Sequence, residues 1–403
     1  MSIVKIQNSI LRGEITVPPS KSAAHRALVC SFLAGGGKVS PIISSNDMQA
    51  MQQVIASLKA DESIVDCIES GITLRFMIPV AAALGKSCTF VGRGRLPERP
   101  ITDYLRLLPE HGVKCTAADG KIPLTIEDKL TPGTFEIAGN ISSQYITGLL
   151  LALPILDGDS KIVLTTQLQS KPYVDMTIKV MGDFGVTVEE KPYGYFVRGN
   201  QKYITRDYTV ESDWSQAAFF LVAGAINGDI TLKGLDLNSA QGDKKIVDAL
   251  KQFGADIEIS KNEIRCKKSS LKGIDIDVSD IPDTVPSLAV AAAFAQGTTV
   301  IRGGERLRLK ESDRIESVVT NLKRMGVNVE EKPDGMVIAG GGARGAELLG
   351  FNDHRIPMAF SVAALEAQGK TIITDAQSIN KTYPTFFDDY NSLGGKADVI
   401  CDL

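Results

Sequence analysis

Six times along the chain, a stretch that is apolar on almost every face runs into a glycine-containing turn and then into β-rich sequence. The copies are HRALVCSFLAGGGKVSPI from His25, RFMIPVAAALGKSCTFVG from Arg75, GLLLALPILDGDSKIVL from Gly148, AAFFLVAGAINGDITLKGL from Ala217, LAVAAAFAQGTTVIRGG from Leu288 and MAFSVAALEAQGKTIITD from Met358. A helix with no polar stripe has no face to turn to water, so these stretches predict buried helices. A second echo is interleaved: an amphipathic helix, a glycine, then alternating strand residues, as in LRLLPEHGVKCTA, IKVMGDFGVTVEE, VDALKQFGADIEI and VTNLKRMGVNVEE. Its glycines, Gly112, Gly185, Gly254 and Gly326, recur about every 70 residues. That period exceeds those of standard solenoids, so each unit reads as a small α/β module. Strands such as VNVEE have one polar face and predict sheets wet on one side. The implied layering is helices inside and sheets outside, six modules grouped as two domains of three. The competing reading is an ordinary three-layer α/β fold with accidental echoes.

Composition narrows this reading. The 403 residues are 43% hydrophobic and 23% charged, an ordinary globular balance, while aromatics reach only 6%, which suits helices packed through small residues. The formal net charge of −4 does not favour a nucleic-acid partner, and a polyanionic ligand would need a local cluster of Lys and Arg. The six cysteines, Cys30, Cys67, Cys88, Cys115, Cys266 and Cys401, form no CxxC pair and read as reduced thiols of a cytoplasmic protein. With three histidines and no HExxH, neither a protein-held metal nor a cofactor is expected. The N-terminus has no signal-peptide core, and no apolar run has membrane-spanning length.

Candidate chemistry begins at PPSKSAAHRAL, which opens the first apolar helix. Ser20 or Ser22 can cap it, and Lys21, Ser22 and Arg26 then surround a helix N-terminus. Free N–H groups, the positive dipole end and two cations make either an anion site or a solvated basic helix start. Further motifs follow in order: ESGITLRF with Gly71 and Arg75, LPERPI with Arg99, GNISSQYITGLL with Ser142, Ser143 and Gln144, and SKPYVDMT with Ser170, Lys171 and Tyr173. Then come IPDTVP with Asp283, RLKESDRI with Lys310, Glu311 and Arg314, NDHRIPMA with Arg355, and NKTYPTFF with Lys381. In this order, and over essentially the whole length, the chain resembles the 5-enolpyruvylshikimate-3-phosphate synthase family of enolpyruvyl transferases.

The resemblance implies a two-domain inside-out α/β barrel. Each domain holds three βαβαββ units with buried parallel helices and outer mixed four-stranded sheets. The N-terminal domain would span residues 13–211, and the C-terminal domain residues 212–403, completed by residues 1–12. The chain would cross near residues 12–20 and 208–213. The implied partners are two small molecules, phosphoenolpyruvate and shikimate 3-phosphate, met by a monomer in a cleft between the domains.

Roles follow residue by residue from the resemblance. Shikimate 3-phosphate would meet Lys21, Ser22, Arg26, Ser142, Ser143, Gln144, Ser170, Tyr173, Asp283 and Lys310. Phosphoenolpyruvate would meet Lys21, Gly71, Arg75, Arg99, Gln144, Arg314, Arg355 and Lys381. Asp283 would take the proton of the 5-hydroxyl, Glu311 would protonate C3 and later deprotonate it, and Lys21 would assist the leaving phosphate. Two polyanions repel each other, so many cations are needed, and Arg forks suit carboxylate and phosphate oxygens. Read without the resemblance, Asp283 is an Asp in a Pro-flanked turn and Glu311 begins an exposed helix.

Three positions depart from the family pattern. Ile72 and Phe76 replace the usual Thr and Pro and are expected to reshape the phosphoenolpyruvate pocket and weaken glyphosate inhibition. Arg306 replaces a small polar residue and either contacts the shikimate phosphate or points to solvent. The run AGGGARGAELLG lacks the GK[ST] of a phosphate loop and reads as a flexible connection. GRGRLPERP reads as a closing loop, and His354 as structural. Two other functions compete: transfer to UDP-N-acetylglucosamine, disfavoured by Ser22 after Lys21 and by a loop without Cys, and non-catalytic anion binding on the same scaffold.

Overall fold

The computed structural model describes residues 2–261 and 263–401. It divides into two compact units, Pro19–Val210 and a second made of Met1–Pro18 with Glu211–Leu403.

Unit Pro19–Val210 contains α1 (Lys21–Leu33), α2 (Asn46–Lys59), α3 (Gly71–Ala83), α4 (Thr102–Glu110), α5 (Ser143–Ala152) and α6 (Lys171–Asp183). Serine starts most of these helices: Ser20, Ser45, Ser70 and Ser142 each accept a first-turn N–H that has no partner inside the helix. Every residue of α3 is buried, as is every residue of α5 except Gln144. These two helices pack on each other, and α6 joins α5 to α1.

The crossing of α3 and α5 depends on two residues. Pro79, inside α3, has no N–H to offer the carbonyl of Arg75 four residues earlier. The Tyr104 hydroxyl, on α4, donates to that carbonyl instead at 2.7 Å. Gly148 of α5 lies at the same point, where a Cβ would come within 2.3 Å of the Arg75 oxygen.

The other unit contains α7 (Trp214–Asn227), α8 (Ile246–Gln252), α9 (Val285–Phe294), α10 (Arg314–Arg324), α11 (Arg355–Ala363) and α12 (Phe386–Ser392). Helices α7 and α11 are buried along their whole length and α9 along all but its last residue, and the three pack pairwise. These, with α1, α3 and α5, are the six apolar stretches of the sequence, and each leads into a strand as its pattern predicts.

Five mixed four-stranded sheets cover the helices with one pattern, a parallel pair extended by two antiparallel strands. In one, Ile64–Asp66 runs parallel to Cys88–Val91, which pairs antiparallel with Lys121–Glu127 and through it with Lys114–Ala118. Strand Leu11–Thr16 runs parallel to Gly228–Lys233 along its full length, so residues 13–16 lie in the second unit and the sequence-based boundary at residue 13 falls inside a strand. Strand Ser2–Ile6 is interior to its sheet, between Thr371–Ile373 and Ala397–Cys401.

Three four-stranded sheets per domain is the expectation, and only the second unit has them. In Pro19–Val210 the third is a parallel pair, Val39–Ser40 with Tyr208–Thr209. The cause is chain length: α2 ends at Lys59 and the next strand starts at Ile64, leaving no residues for a hairpin. The second echo itself has a fifth copy that the pattern reading missed, at Gly394 ahead of Ala397–Cys401. Its φ of 96° matches the left-handed helix ends at Gly112, Gly185, Gly254 and Gly326.

Candidate active site

In unit Pro19–Val210, contacts link the N-terminal ends of the buried helices. Lys21, in the first turn of α1, pairs with Asp47 at 2.7 Å. Arg26, one turn on, is 2% exposed. It donates to Thr177 Oγ1 at 2.8 Å, Ser22 O at 2.7 Å and Tyr173 O at 2.9 Å, which fastens α1 to α6. Burial pushes its pKa down to about 10. Phe76 lies beneath it, 5.2 Å from the guanidinium, so the bulk that was expected to shape the phosphoenolpyruvate pocket has Arg26 as its partner. Ile72 is buried in the first turn of α3.

Arg75 donates to Gln144 Oε1 at 2.9 Å and to Pro100 O at 3.1 Å and lies 5.2 Å from the Tyr145 ring. Tyr145 donates its hydroxyl to the same Pro100 carbonyl. The Arg99 guanidinium rests on Gly71, where a Cβ would stand 2.4 Å from Nη1. A guanidinium over the positive end of α3 is a favourable place for an anion. The GRGRLPE segment before it is tied down by buried Leu96 and by Arg93 N–H donating to Ile68 O at 2.7 Å. Ser142 and Ser143 begin α5, and Ser170 precedes α6 in the left-handed region at φ 54°. Lys171 is engaged away from these groups, with Asp175 and Glu190.

The other unit holds the carboxylates. Arg314 opens α10 and spreads its guanidinium over three of them: Asp283 Oδ1 at 2.7 Å, Glu311 Oε2 at 2.7 Å and Asp353 Oδ2 at 2.8 Å. Burial would lower its pKa, but Asp353, Glu311 and Asp283 outweigh burial and raise it. Asp283 also receives Arg355, at 3.0 Å on Oδ2 and 3.1 Å on its backbone carbonyl, and Lys310 at 3.4 Å. Burial pushes the Lys310 ammonium below the usual lysine range, with Arg314 and Arg306 adding to the effect and Asp283 and Glu311 opposing it. Lys381 donates to Asn352 O at 2.8 Å. Arg306 is buried and donates to Ser279 O at 2.7 Å; it does not point into solvent. His354 is buried, with Nδ1 3.7 Å from Asp353 Oδ1.

Sequence reasoning missed four partners: Asp47, Thr177, Asp353 and Ser312, whose hydroxyl donates to Asp353 at 3.1 Å. Asp353 stood inside the quoted NDHR motif, and Thr177 lies one helical turn after Tyr173, so their positions were visible while their pairings were not. The glycine run is also explained: Gly341 and Gly342 N–H groups both donate to Ala293 O, at 3.1 and 2.9 Å, so they cap the end of α9 and do not cradle a phosphate. The described residues hold no cluster of metal-binding side chains and no helix long and apolar enough to cross a membrane. Cys30, Cys67, Cys88, Cys115 and Cys266 are free thiols, and the side chain of Cys401 lies outside the described residues.

Fold and site together define a class first: repeated α/β modules, with buried helices under small mixed sheets, that carry cations and ion-paired carboxylates at helix ends. A family model for EPSP synthase (3-phosphoshikimate 1-carboxyvinyltransferase) matches residues 6–66 and 56–390. The chain is 42% identical over 429 aligned positions to the 3-phosphoshikimate 1-carboxyvinyltransferase of Clostridium novyi (strain NT), covering 99% of each. It is 42% identical over 420 positions to that of Clostridium kluyveri, again covering 99% of each. A solved EPSP synthase from Acinetobacter baumannii matches 100% of both chains with a TM-score of 0.84 and 26% identity. The chain belongs to the EPSP synthase family. The two matched stretches of the family model overlap at residues 56–66, where α2 ends and the hairpin is missing.

Proposed function

We propose that this protein transfers the enolpyruvyl group of phosphoenolpyruvate to the 5-hydroxyl of shikimate 3-phosphate and releases phosphate. The observation that carries the reading is the pair Asp283 and Glu311, each 2.7 Å from one buried guanidinium, in a unit that also presents Lys310, Arg355 and Lys381. An acid and a base held on a common cation are what an addition followed by an elimination needs.

In this reading Asp283 takes the hydroxyl proton as the oxygen bonds to C2, and Glu311 delivers a proton to C3. In the second step Glu311 takes a proton back from C3 as the C2–O bond to phosphate breaks, Lys21 stabilises the departing charge, and the proton taken up by Asp283 leaves with the phosphate. Arg75, Arg99, Gln144, Arg314, Arg355 and Lys381 hold phosphoenolpyruvate, with Gly71 giving Arg99 its room. Ser22, Arg26, Ser142, Ser143, Ser170, Tyr173 and Lys310 hold shikimate 3-phosphate. Orienting both reactants supplies roughly 7–11 kcal/mol of barrier reduction, more than any one contact.

One chain carries the whole residue set, which supports a monomer, and the free thiols suit a reducing, cytoplasmic setting. Phosphate release should require both substrates. Glu311→Gln and Asp283→Asn should each lower turnover about a hundred- to ten-thousandfold with substrate binding retained. Release supported by UDP-N-acetylglucosamine in place of shikimate 3-phosphate would overturn the assignment.

A further inference from the structure

Beside the N-terminal end of α7 lies a charged group that the reaction above does not use. Asp243 lies in the short turn Gly242–Lys245, 2% exposed, packed on α7. Its Oδ2 accepts the hydroxyl of Ser215, the second residue of α7. The preceding loop is clamped to the same helix end: Trp214 N–H donates to Gln241 Oε1 at 3.0 Å, and Gln241 Nε2 donates to Ser212 O at 2.8 Å. The turn bearing Asp283 also packs on α7. Asp283 grips Arg355 where α9 and α11 begin, and Asn227 Nδ2 reaches Leu365 O at 3.0 Å beyond the other ends of α7 and α11. The packing thus gathers Asp243 from the turn hydrogen-bonded to the start of α7, Asp283 from the turn before α9 and Arg355 from the start of α11.

A second carboxylate here would draw on the positive charge of Arg355 that Asp283 already uses. Deep burial and then Asp283 push the Asp243 carboxyl up to about 7, against Arg355 and the Ser215 hydrogen bond. The groups facing it are Asp213, which caps α7, Ser215 from α7, Asp283 from the turn before α9 and Arg355 from α11. On its own turn, Lys244 is engaged with Leu237 O and Ser239 O, and Lys245 with Asp280.

We propose that Asp243 is a positioning residue for phosphoenolpyruvate: it holds a proton behind Arg355 so that the guanidinium's charge is directed to the incoming anion. This rests on the assignment of Arg355 to phosphoenolpyruvate made above. Anion binding at Arg355 and proton binding at Asp243 then favour one another by reciprocal linkage.

The test titrates phosphoenolpyruvate alone into the full-length protein near pH 7, by calorimetry in two buffers of different ionisation enthalpy. Wild type should take up a fraction of a proton that Asp243→Asn does not. In steady-state phosphate release, the KM for phosphoenolpyruvate should rise between about pH 6 and about 8.5 on the order of tenfold more in wild type than in Asp243→Asn, with kcat moving less. Comparing the two proteins cancels the titration of the substrate itself. Ser215→Ala, which removes a donor to the carboxylate, should move the step to higher pH. Equal proton uptake with parallel KM profiles would overturn the proposal, as would a uniform loss of activity at every pH with a lowered Tm. Should Asp243→Asn fail to fold, an unmoved step in Ser215→Ala overturns it alone. Phosphoenolpyruvate binding without phosphate release would sink the functional reading and leave the proton comparison standing.

Discussion

His25 and Gly71 show how single residues serve the helix ends on which the site is built. His25 is fully buried in α1, and its Nδ1 lies 2.8 Å from Lys21 O, which can only accept, so Nδ1 carries a proton. Burial lowers its pKa from 6.5 to about 4, outweighing the pull of Asp47. The unfolded chain therefore binds this proton first as pH falls. The neutral ring's contribution to stability is fully present above pH 6.5 and is lost progressively down to about pH 4. That loss is on the order of 3 kcal/mol. Urea denaturation at both ends of the window should show a smaller loss in His25→Asn than in wild type, and equal losses would place the proton elsewhere. Gly71→Ala would drive a methyl into the Arg99 guanidinium, 2.4 Å away. With a charge-assisted hydrogen bond to phosphoenolpyruvate displaced, its KM should rise roughly ten- to a hundredfold. An unchanged KM would show that Arg99 does not bind that substrate.

Elements were the most legible level of the sequence. All six apolar stretches are helices, five buried along nearly their whole length and α1 along most of it, because the absence of a polar stripe leaves a helix only one environment. The exit glycines were legible for the same kind of reason, since a left-handed residue at a helix end favours Gly. Two facts were not legible. The family resemblance supplied a hairpin after α2 that the chain is too short to contain. Pattern reading also gave no sign that Tyr104 replaces the N–H that Pro79 lacks, because that bond joins two helices. Tyr104→Phe should leave the buried Arg75 carbonyl short of its donor and cost about 1–3 kcal/mol. Pro79→Ala in the same chain restores a helix N–H and should recover part of that loss. Thermal unfolding of the single and double variants measures the coupling, and strictly additive effects would contradict it.

At the scale of the whole molecule, each unit has its own buried helices and its own sheets, but their strands are not all local in sequence. Ser2–Ile6 pairs along both edges, with Thr371–Ile373 and with Ala397–Cys401. Deleting residues 2–6 would expose two unpaired edges in the middle of a sheet and open the core beneath it. Such a protein should not yield a cooperatively folding second unit, as judged by loss of a thermal transition. A full transition at the wild-type temperature would show that the strand is dispensable.

The division between sequence and structure follows from distance along the chain. Local periodicity determined the helices, the strands, the inside-out layering and the order of the motifs, because each depends on side chains a few residues apart meeting one environment. Only tertiary structure decided which carboxylate meets which cation. The three carboxylates on Arg314 come from residues 283, 311 and 353. Arg26 reaches Thr177 across 151 positions. No periodicity encodes such pairings, since they arise when separate buried helices pack and bring their ends to one place.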